Sequence, residues 1–76
     1  IPHQANLRII EKAAELLNID IEKFYINIEK YGNTSAASIP IAFDEYMSAA
    51  PRQENKKVIF VGFGAGLTWG AAMLTL

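Results

Sequence analysis

Near the front of the chain, apolar residues recur three and four positions apart. Leu7, Ile10, Ala14 and Leu17 set the rhythm, and Ile9, Ala13 and Leu16 widen the stripe. That spacing predicts an amphipathic helix over residues 4–18 lying on a core. Arg8, Glu11, Lys12 and Glu15 occupy much of its other side, and Asn18 ends it. Asp20 can cap a single turn through Glu22 and Lys23. Residues 24–28, Phe-Tyr-Ile-Asn-Ile, then place apolar side chains at alternate positions and read as a short strand. Residues 29–33 read as a loop in which Gly32 is free to take a backbone conformation that other residues avoid.

The stretch 34–49 begins with small residues and continues through Ile39, Ile41, Ala42, Phe43, Tyr46 and Met47. Small side chains allow close approach to neighbours, so the pattern predicts a central, buried helix. Pro40 lacks an N–H and clashes with a preceding helical turn, so this helix either starts near Ser38 or kinks at Pro40. A polar turn over residues 50–55 contains Pro51. Residues 58–63 form a continuous apolar run that reads as a buried strand, and residues 67–76 give another after a glycine-rich link. The predicted order is α-β-α-β-β, an α/β arrangement with a mixed sheet and a buried helix, without internal repeat or low-complexity linker.

The last segment has a competing reading. Residues 58–76 are nineteen consecutive uncharged positions, enough to cross a bilayer, and Gly62, Gly66 and Gly70 keep the four-residue spacing of helix dimerisation faces. Gly64 adds a fourth glycine, and each costs roughly 1 kcal/mol inside a helix in water. The β-branched Val58, Ile59, Val61 and Thr68 suit strands joined at glycines, so the reading adopted is two strands and no membrane span.

Composition narrows the chemistry. With no cysteine and one histidine, disulfides and thiolate metal sites are excluded and a protein-only zinc site is disfavoured. Seven basic and eight acidic residues give a net charge of −1, without the basic face that nucleic acid requires. A hydrophobic content of 51% is high for a 76-residue chain, which has little interior. Part of that apolar surface is expected to face another half of a larger protein, and the opening Ile1-Pro2-His3 reads as starting mid-protein, without the features of a secretory signal.

Three polar clusters remain: Pro2-His3-Gln4-Ala5-Asn6, then Gly32-Asn33-Thr34-Ser35-Ala36-Ala37-Ser38, then Gly62-Phe63-Gly64-Ala65-Gly66-Leu67-Thr68-Trp69-Gly70. A neutral imidazole offers one N–H and a carboxamide offers two that do not titrate away, so His3 and Asn33 could together stabilise a developing oxyanion. Each has a plain alternative, His3 as a structural or capping residue and Asn33 as an N-cap or turn former. The string GFGAG lacks the lysine of a phosphate-binding loop and does not satisfy GxGxxG. It suits close approach of backbone to a ligand, where an amide N–H can serve an oxyanion hole. Phe63 reads as a core residue at a strand end, and Trp69 reads as packing.

In this order, and over essentially the whole chain, the three clusters resemble the C-terminal part of β-ketoacyl-acyl-carrier-protein synthase III, a condensing enzyme of the thiolase fold. The resemblance implies that residues 1–76 are a C-terminal fragment of an enzyme that starts bacterial fatty-acid synthesis. That acyltransferase joins an acyl-CoA of the acetyl class to malonyl-acyl-carrier protein by decarboxylative Claisen condensation. It implies His3 and Asn33 as catalytic residues, the backbone of Ala65 in the oxyanion hole, and Phe63 as the wall of the malonyl site. Asn6 and Ile9 would line the tunnel for the pantetheine arm, and Arg8 would dock the carrier protein. Many relatives carry glycine where this chain has Ala65, and the basic docking surface often extends to positions where this chain has Glu15 and Leu16. The family's nucleophile is a cysteine that this chain lacks, so the chain alone is expected to be inactive. The implied setting is a cytoplasmic homodimer with substrates but no cofactor. The rivals are a related ketosynthase of secondary metabolism and a non-catalytic membrane or interaction protein.

Overall fold

A computed structural model describes residues 1–49 and 54–76. Helix α1 spans Leu7–Leu17 and begins where Asn6, in extended conformation, accepts the Arg8 N–H on its side-chain oxygen at 2.8 Å. That bond satisfies one of the donors a helix start leaves open. Asn18 ends the helix in the left-handed region at φ 52°, and the N–H of Ile19 returns to the Ala14 carbonyl at 3.0 Å. Asp20 caps the expected turn, now a 3₁₀ turn over Ile21–Lys23, by accepting the Glu22 N–H at 3.0 Å.

The strand expected over residues 24–28 is corrected. The segment is extended at Phe24 but has no strand partner among the described residues, and helix α2, Ile28–Tyr31, takes over part of the expected loop. Its backbone is satisfied by a side chain instead. Buried Gln4 donates to the Tyr25 carbonyl at 3.1 Å and accepts the Asn27 N–H at 3.0 Å. One glutamine thus does what a neighbouring strand would do, and alternation in the sequence does not distinguish the two.

Helix α3 runs Ser38–Ala49 after a 3₁₀ turn over Ser35–Ala37. Of the two expected solutions for Pro40, the molecule takes the first: proline sits in the opening turn, where its missing N–H has no intrahelical acceptor to lose. Within this chain α3 buries Ser38 and Ala42, whereas Asp44, Met47, Ser48 and Ala49 are exposed, so one face and not the whole helix is covered. The polar turn expected over residues 50–55 falls mostly on positions 50–53, which lie outside the described residues.

Strands β1, Lys57–Gly64, and β2, Thr68–Thr75, form an antiparallel hairpin in register from Lys57 opposite Thr75 to Gly64 opposite Thr68. The turn between them places Gly66 at φ 77°, a left-handed conformation that glycine adopts without a Cβ penalty. Residues 58–76 are therefore a hairpin, and among the described residues no helix is long and apolar enough to cross a membrane. Val58 is the one buried apolar residue of the run expected to be a buried strand, and Trp69, expected in packing, is 78% exposed.

The opening segment lies alongside β1. Pro2 bridges Val61 in parallel, with the Val61 N–H donated to the Ile1 carbonyl at 3.1 Å and the His3 N–H donated to the Val61 carbonyl at 2.7 Å. The mixed sheet expected is corrected: among the described residues the sheet is a two-stranded antiparallel hairpin, with the opening segment adding one isolated parallel bridge. The small core joins Ile10 and Ala14 of α1, Ala42 of α3 and Val58 of β1, with Phe43 meeting Phe60 edge to face at 5.2 Å. The class is α/β, and the element order is corrected to α1, α2, α3, β1, β2.

Candidate active site

The backbone bonds that lay residues 1–3 along β1 also deliver His3 to the carboxyl end of that strand. There its ring packs edge to face against Phe63, centroids 5.2 Å apart and planes at 76°. On the other side, His3 Nδ1 lies 2.5 Å from Ser38 Oγ at the start of α3. The imidazole is therefore fixed by β1 and α3 together.

Asn33 arrives from a different element. Its side-chain oxygen accepts the Ser35 N–H at 2.9 Å, closing a tight local turn in which Ser35 takes a positive φ of 54°. The bond occupies the acceptor end of the carboxamide and leaves the two N–H groups of Nδ2 as its free function. Asparagine as a turn former and asparagine as a donor are thus compatible here.

These groups line one cleft of about 570 Å³, whose walls include His3, Asn33, Ser38, Phe63, Gly64 and Ala65. The cleft gathers four of the residues expected at the catalytic centre from three separate stretches of sequence. Ala65 sits at the head of the hairpin turn, immediately after extended Gly64. Asn6, Arg8 and Ile9 stand apart from the cleft wall. Asn6 is the N-cap of α1, with its side-chain oxygen committed to Arg8 N–H, and Arg8 and Ile9 are exposed on the first turn. Phe63 has a direct contact that sequence reasoning did not supply, since it braces the His3 ring.

Two residues of this constellation carry no expected role in the sequence reading. Ser38 is 2% exposed and accepts the Gln4 backbone N–H at 3.3 Å while touching His3. Gln4, 1% exposed, also donates to the Pro2 carbonyl at 2.8 Å, so it locks the turn that carries His3. Their signal in the sequence was residue type and place: a glutamine beside the histidine, and a serine at the edge of a small-residue helix.

His3 and Asn33 thus stand beside the apolar Phe63 at the carboxyl end of a strand in an α/β fold, an arrangement whose N–H groups can stabilise negative charge on oxygen. All 76 residues match the family described as 3-Oxoacyl-[acyl-carrier-protein (ACP)] synthase III C terminal, and the chain belongs to that family. The chain is 58% identical to beta-ketoacyl-[acyl-carrier-protein] synthase III of Acholeplasma laidlawii over its full length, covering 24% of that protein. It is 62% identical to the Clostridium tetani protein of the same name over 97% of this chain, covering 22% of the relative. Among solved structures, 3-oxoacyl-[acyl-carrier-protein] synthase III from Aquifex aeolicus superposes with a TM-score of 0.91 at 52% identity, over 99% of this chain and 24% of that one. The Thermus thermophilus synthase does so with a TM-score of 0.90 at 53% identity, over 99% of this chain and 23% of that one. The chain thus spans about a quarter of the length of the relatives it matches, and the thiolase-like fold expected of it is the fold of these synthases.

Proposed function

We propose that the protein carrying this chain is a bacterial ketosynthase that starts fatty-acid synthesis by condensing an acyl-CoA with malonyl-acyl-carrier protein. The observation that carries the reading is the convergence of His3 and Asn33 on one cleft beside Phe63. In the reaction, the malonyl carbon–carbon bond breaks and releases carbon dioxide, and the electron pair moves onto the thioester oxygen as an enolate. The His3 ring N–H and the Asn33 carboxamide donate to that oxygen as its charge develops. The enolate carbon then attacks an acyl thioester held on a cysteine outside this chain, and the thiolate leaves.

The remaining roles follow the same reading. The Ala65 N–H takes the oxyanion of the attacked acyl group. Phe63 walls the malonyl site with an apolar surface that disfavours the departing carboxylate. Asn6 and Ile9 flank the path of the pantetheine arm, and Arg8 meets the acidic carrier protein. The protein works as a cytoplasmic homodimer with no cofactor beyond its substrates, and the present chain is its C-terminal part, inactive alone. The names of the relatives, each a beta-ketoacyl-[acyl-carrier-protein] synthase III, support the ketosynthase activity and the carrier-protein substrate in this reading.

The test uses the full-length protein. His3→Ala and Asn33→Ala are each expected to lower release of carbon dioxide from malonyl-acyl-carrier protein by about a hundredfold or more, the usual cost of losing one oxyanion donor. Undiminished decarboxylation by folded His3→Ala protein refutes the reading.

A further inference from the structure

We propose that Ser38 is a positioning residue that holds the His3 ring as the tautomer protonated on Nε2, so that the ring's donor faces the cleft. The inference rests on the donor role of His3 argued above.

The geometry that supports it is a count of donors and acceptors. A serine hydroxyl has one proton to give and two lone pairs to receive with. Ser38 is 2% exposed, so that proton needs an acceptor within the protein. Its oxygen already receives the Gln4 N–H at 3.3 Å. Among the described residues the remaining polar neighbour is His3 Nδ1, at 2.5 Å. If Nδ1 carried the ring proton, Ser38 would face two N–H donors and its own O–H would point at no acceptor. With Nδ1 bare, every group is paired: Gln4 N–H to Ser38, Ser38 O–H to Nδ1, and Nε2–H left for the cleft. Phe63, edge to face against the ring at 5.2 Å, supports the same orientation from the other side.

Ser38 and Ser35 therefore act in parallel. Ser35 N–H occupies the Asn33 carboxamide oxygen at 2.9 Å, and Ser38 O–H occupies the acceptor nitrogen of His3. Each tie takes up an acceptor and turns a donor outward. Both come from one stretch of chain, residues 33–38, so the segment that supplies Asn33 also aims His3.

The experiment is nitrogen-15 NMR of the full-length protein labelled at histidine, at a pH where the His3 ring is neutral, with His3→Gln identifying the signal. The wild-type ring is expected to show bare Nδ1 and protonated Nε2. Ser38→Ala is expected to lower the ratio of that tautomer to the other by about fivefold, the equivalent of one hydrogen bond of about 1 kcal/mol. Decarboxylation should fall with it, while Ser38→Thr, which keeps the hydroxyl, restores both. A wild-type ring protonated on Nδ1 overturns the proposal. So does a Ser38→Ala protein whose tautomer ratio and rate are unchanged. Should Ser38→Ala fail to fold, the wild-type tautomer still decides. Full decarboxylation by the folded His3→Ala protein would instead refute the ketosynthase reading, and the NMR result would then judge Ser38 independently of it.

Discussion

Around the cleft, Gln4 bonds Pro2, Tyr25 and Asn27, and Ser38 bonds Gln4 and His3, while among the described residues the buried Asn27 Nδ2 alone has no partner. Along β2, by contrast, Trp69 and Met73 stand 78% and 63% exposed, and no residue of that strand is buried. The polar machinery is assembled locally, whereas the apolar surface of the hairpin is left open by the residues seen here. Hydrogen bonds are satisfied atom by atom over short distances, but burying an aromatic side chain needs a broad opposing surface. A quarter-length segment can therefore fix the polar side chains of its cleft without carrying the cover for its own sheet.

The sharpest way to separate the cleft's chemistry from its structure is Asn33→Asp in the full-length protein. The aspartate keeps an oxygen to accept the Ser35 N–H, so the turn survives, but the carboxamide donors are gone and a negative charge faces the developing oxyanion. Decarboxylation is expected to fall by at least about a hundredfold, with the thermal midpoint little changed. Parallel loss of activity and of folding would show that Asn33 serves the turn alone.

Gln4 tests the structural half of the same region. Gln4→Ala leaves the Tyr25 carbonyl, the Asn27 N–H and the Pro2 carbonyl without their partner in a buried setting. Unsatisfied buried groups cost roughly 1–3 kcal/mol each, so a stability loss of about 3 kcal/mol is expected in urea denaturation of the full-length protein. A loss below about 1 kcal/mol would mean that water or another segment replaces the glutamine readily.

How much of this was legible beforehand depends on the range of the cause. The first helix, the Asp20 cap, the Asn18 stop and the hairpin all follow from residues within a few positions of each other, and the sequence reading found them. The three polar clusters, likewise local strings, marked the cleft. Residues 24–28 were misread because the partner of their backbone is Gln4, some twenty residues earlier, and period-two alternation is silent about whether a side chain or a strand will satisfy it. Ser38 escaped for a related reason, since its contact with His3 joins positions 35 apart and leaves no periodic trace. The exposure of β2 was foreseen only as a general excess of apolar residues, because composition does not say which strand is left uncovered.

Trp69 tests the other side of the comparison. Where its indole is exposed, replacing it should remove little packing, and Trp69→Ser in the isolated chain is expected to change stability by no more than about 0.5 kcal/mol. In the full-length protein, where further chain can cover β2, the same substitution is expected to cost about 3 kcal/mol, as for a buried tryptophan. Equal, small effects in both would leave β2 exposed in the whole protein as well. The paired denaturation curves thus measure how much of the hairpin's cover comes from elsewhere.

The smallest effect belongs to a polar cluster outside the cleft. Glu45 on α3 accepts the Tyr25 hydroxyl at 2.7 Å and the Lys30 ammonium at 3.1 Å, tying the segment before and within α2 to α3. The Tyr25 hydrogen bond, with that of Lys30 behind it, holds the Glu45 carboxyl below its ordinary value of 4.5. The folded form therefore binds the proton less readily than the unfolded one, so this contribution is complete above about pH 4.5 and is lost as pH falls through the lower folded value. At the alkaline end, burial and the Glu45 bond raise Tyr25 above 10.0, and the Glu45 bond raises Lys30 above 10.5. Their contribution is present below those values and disappears as pH rises through the raised ones. Because Lys30 is exposed, salt screens its share. Glu45→Gln should therefore flatten the acid limb of the stability profile below pH 4.5 by a small, salt-sensitive amount, less than the change at Gln4, and leave decarboxylation at neutral pH unaltered. An acid limb that keeps its full slope in this variant would assign it to other carboxylates and leave the tie between α2 and α3 to packing, of which the edge-to-face pair Tyr25 and Tyr46, 5.7 Å apart, is the visible part.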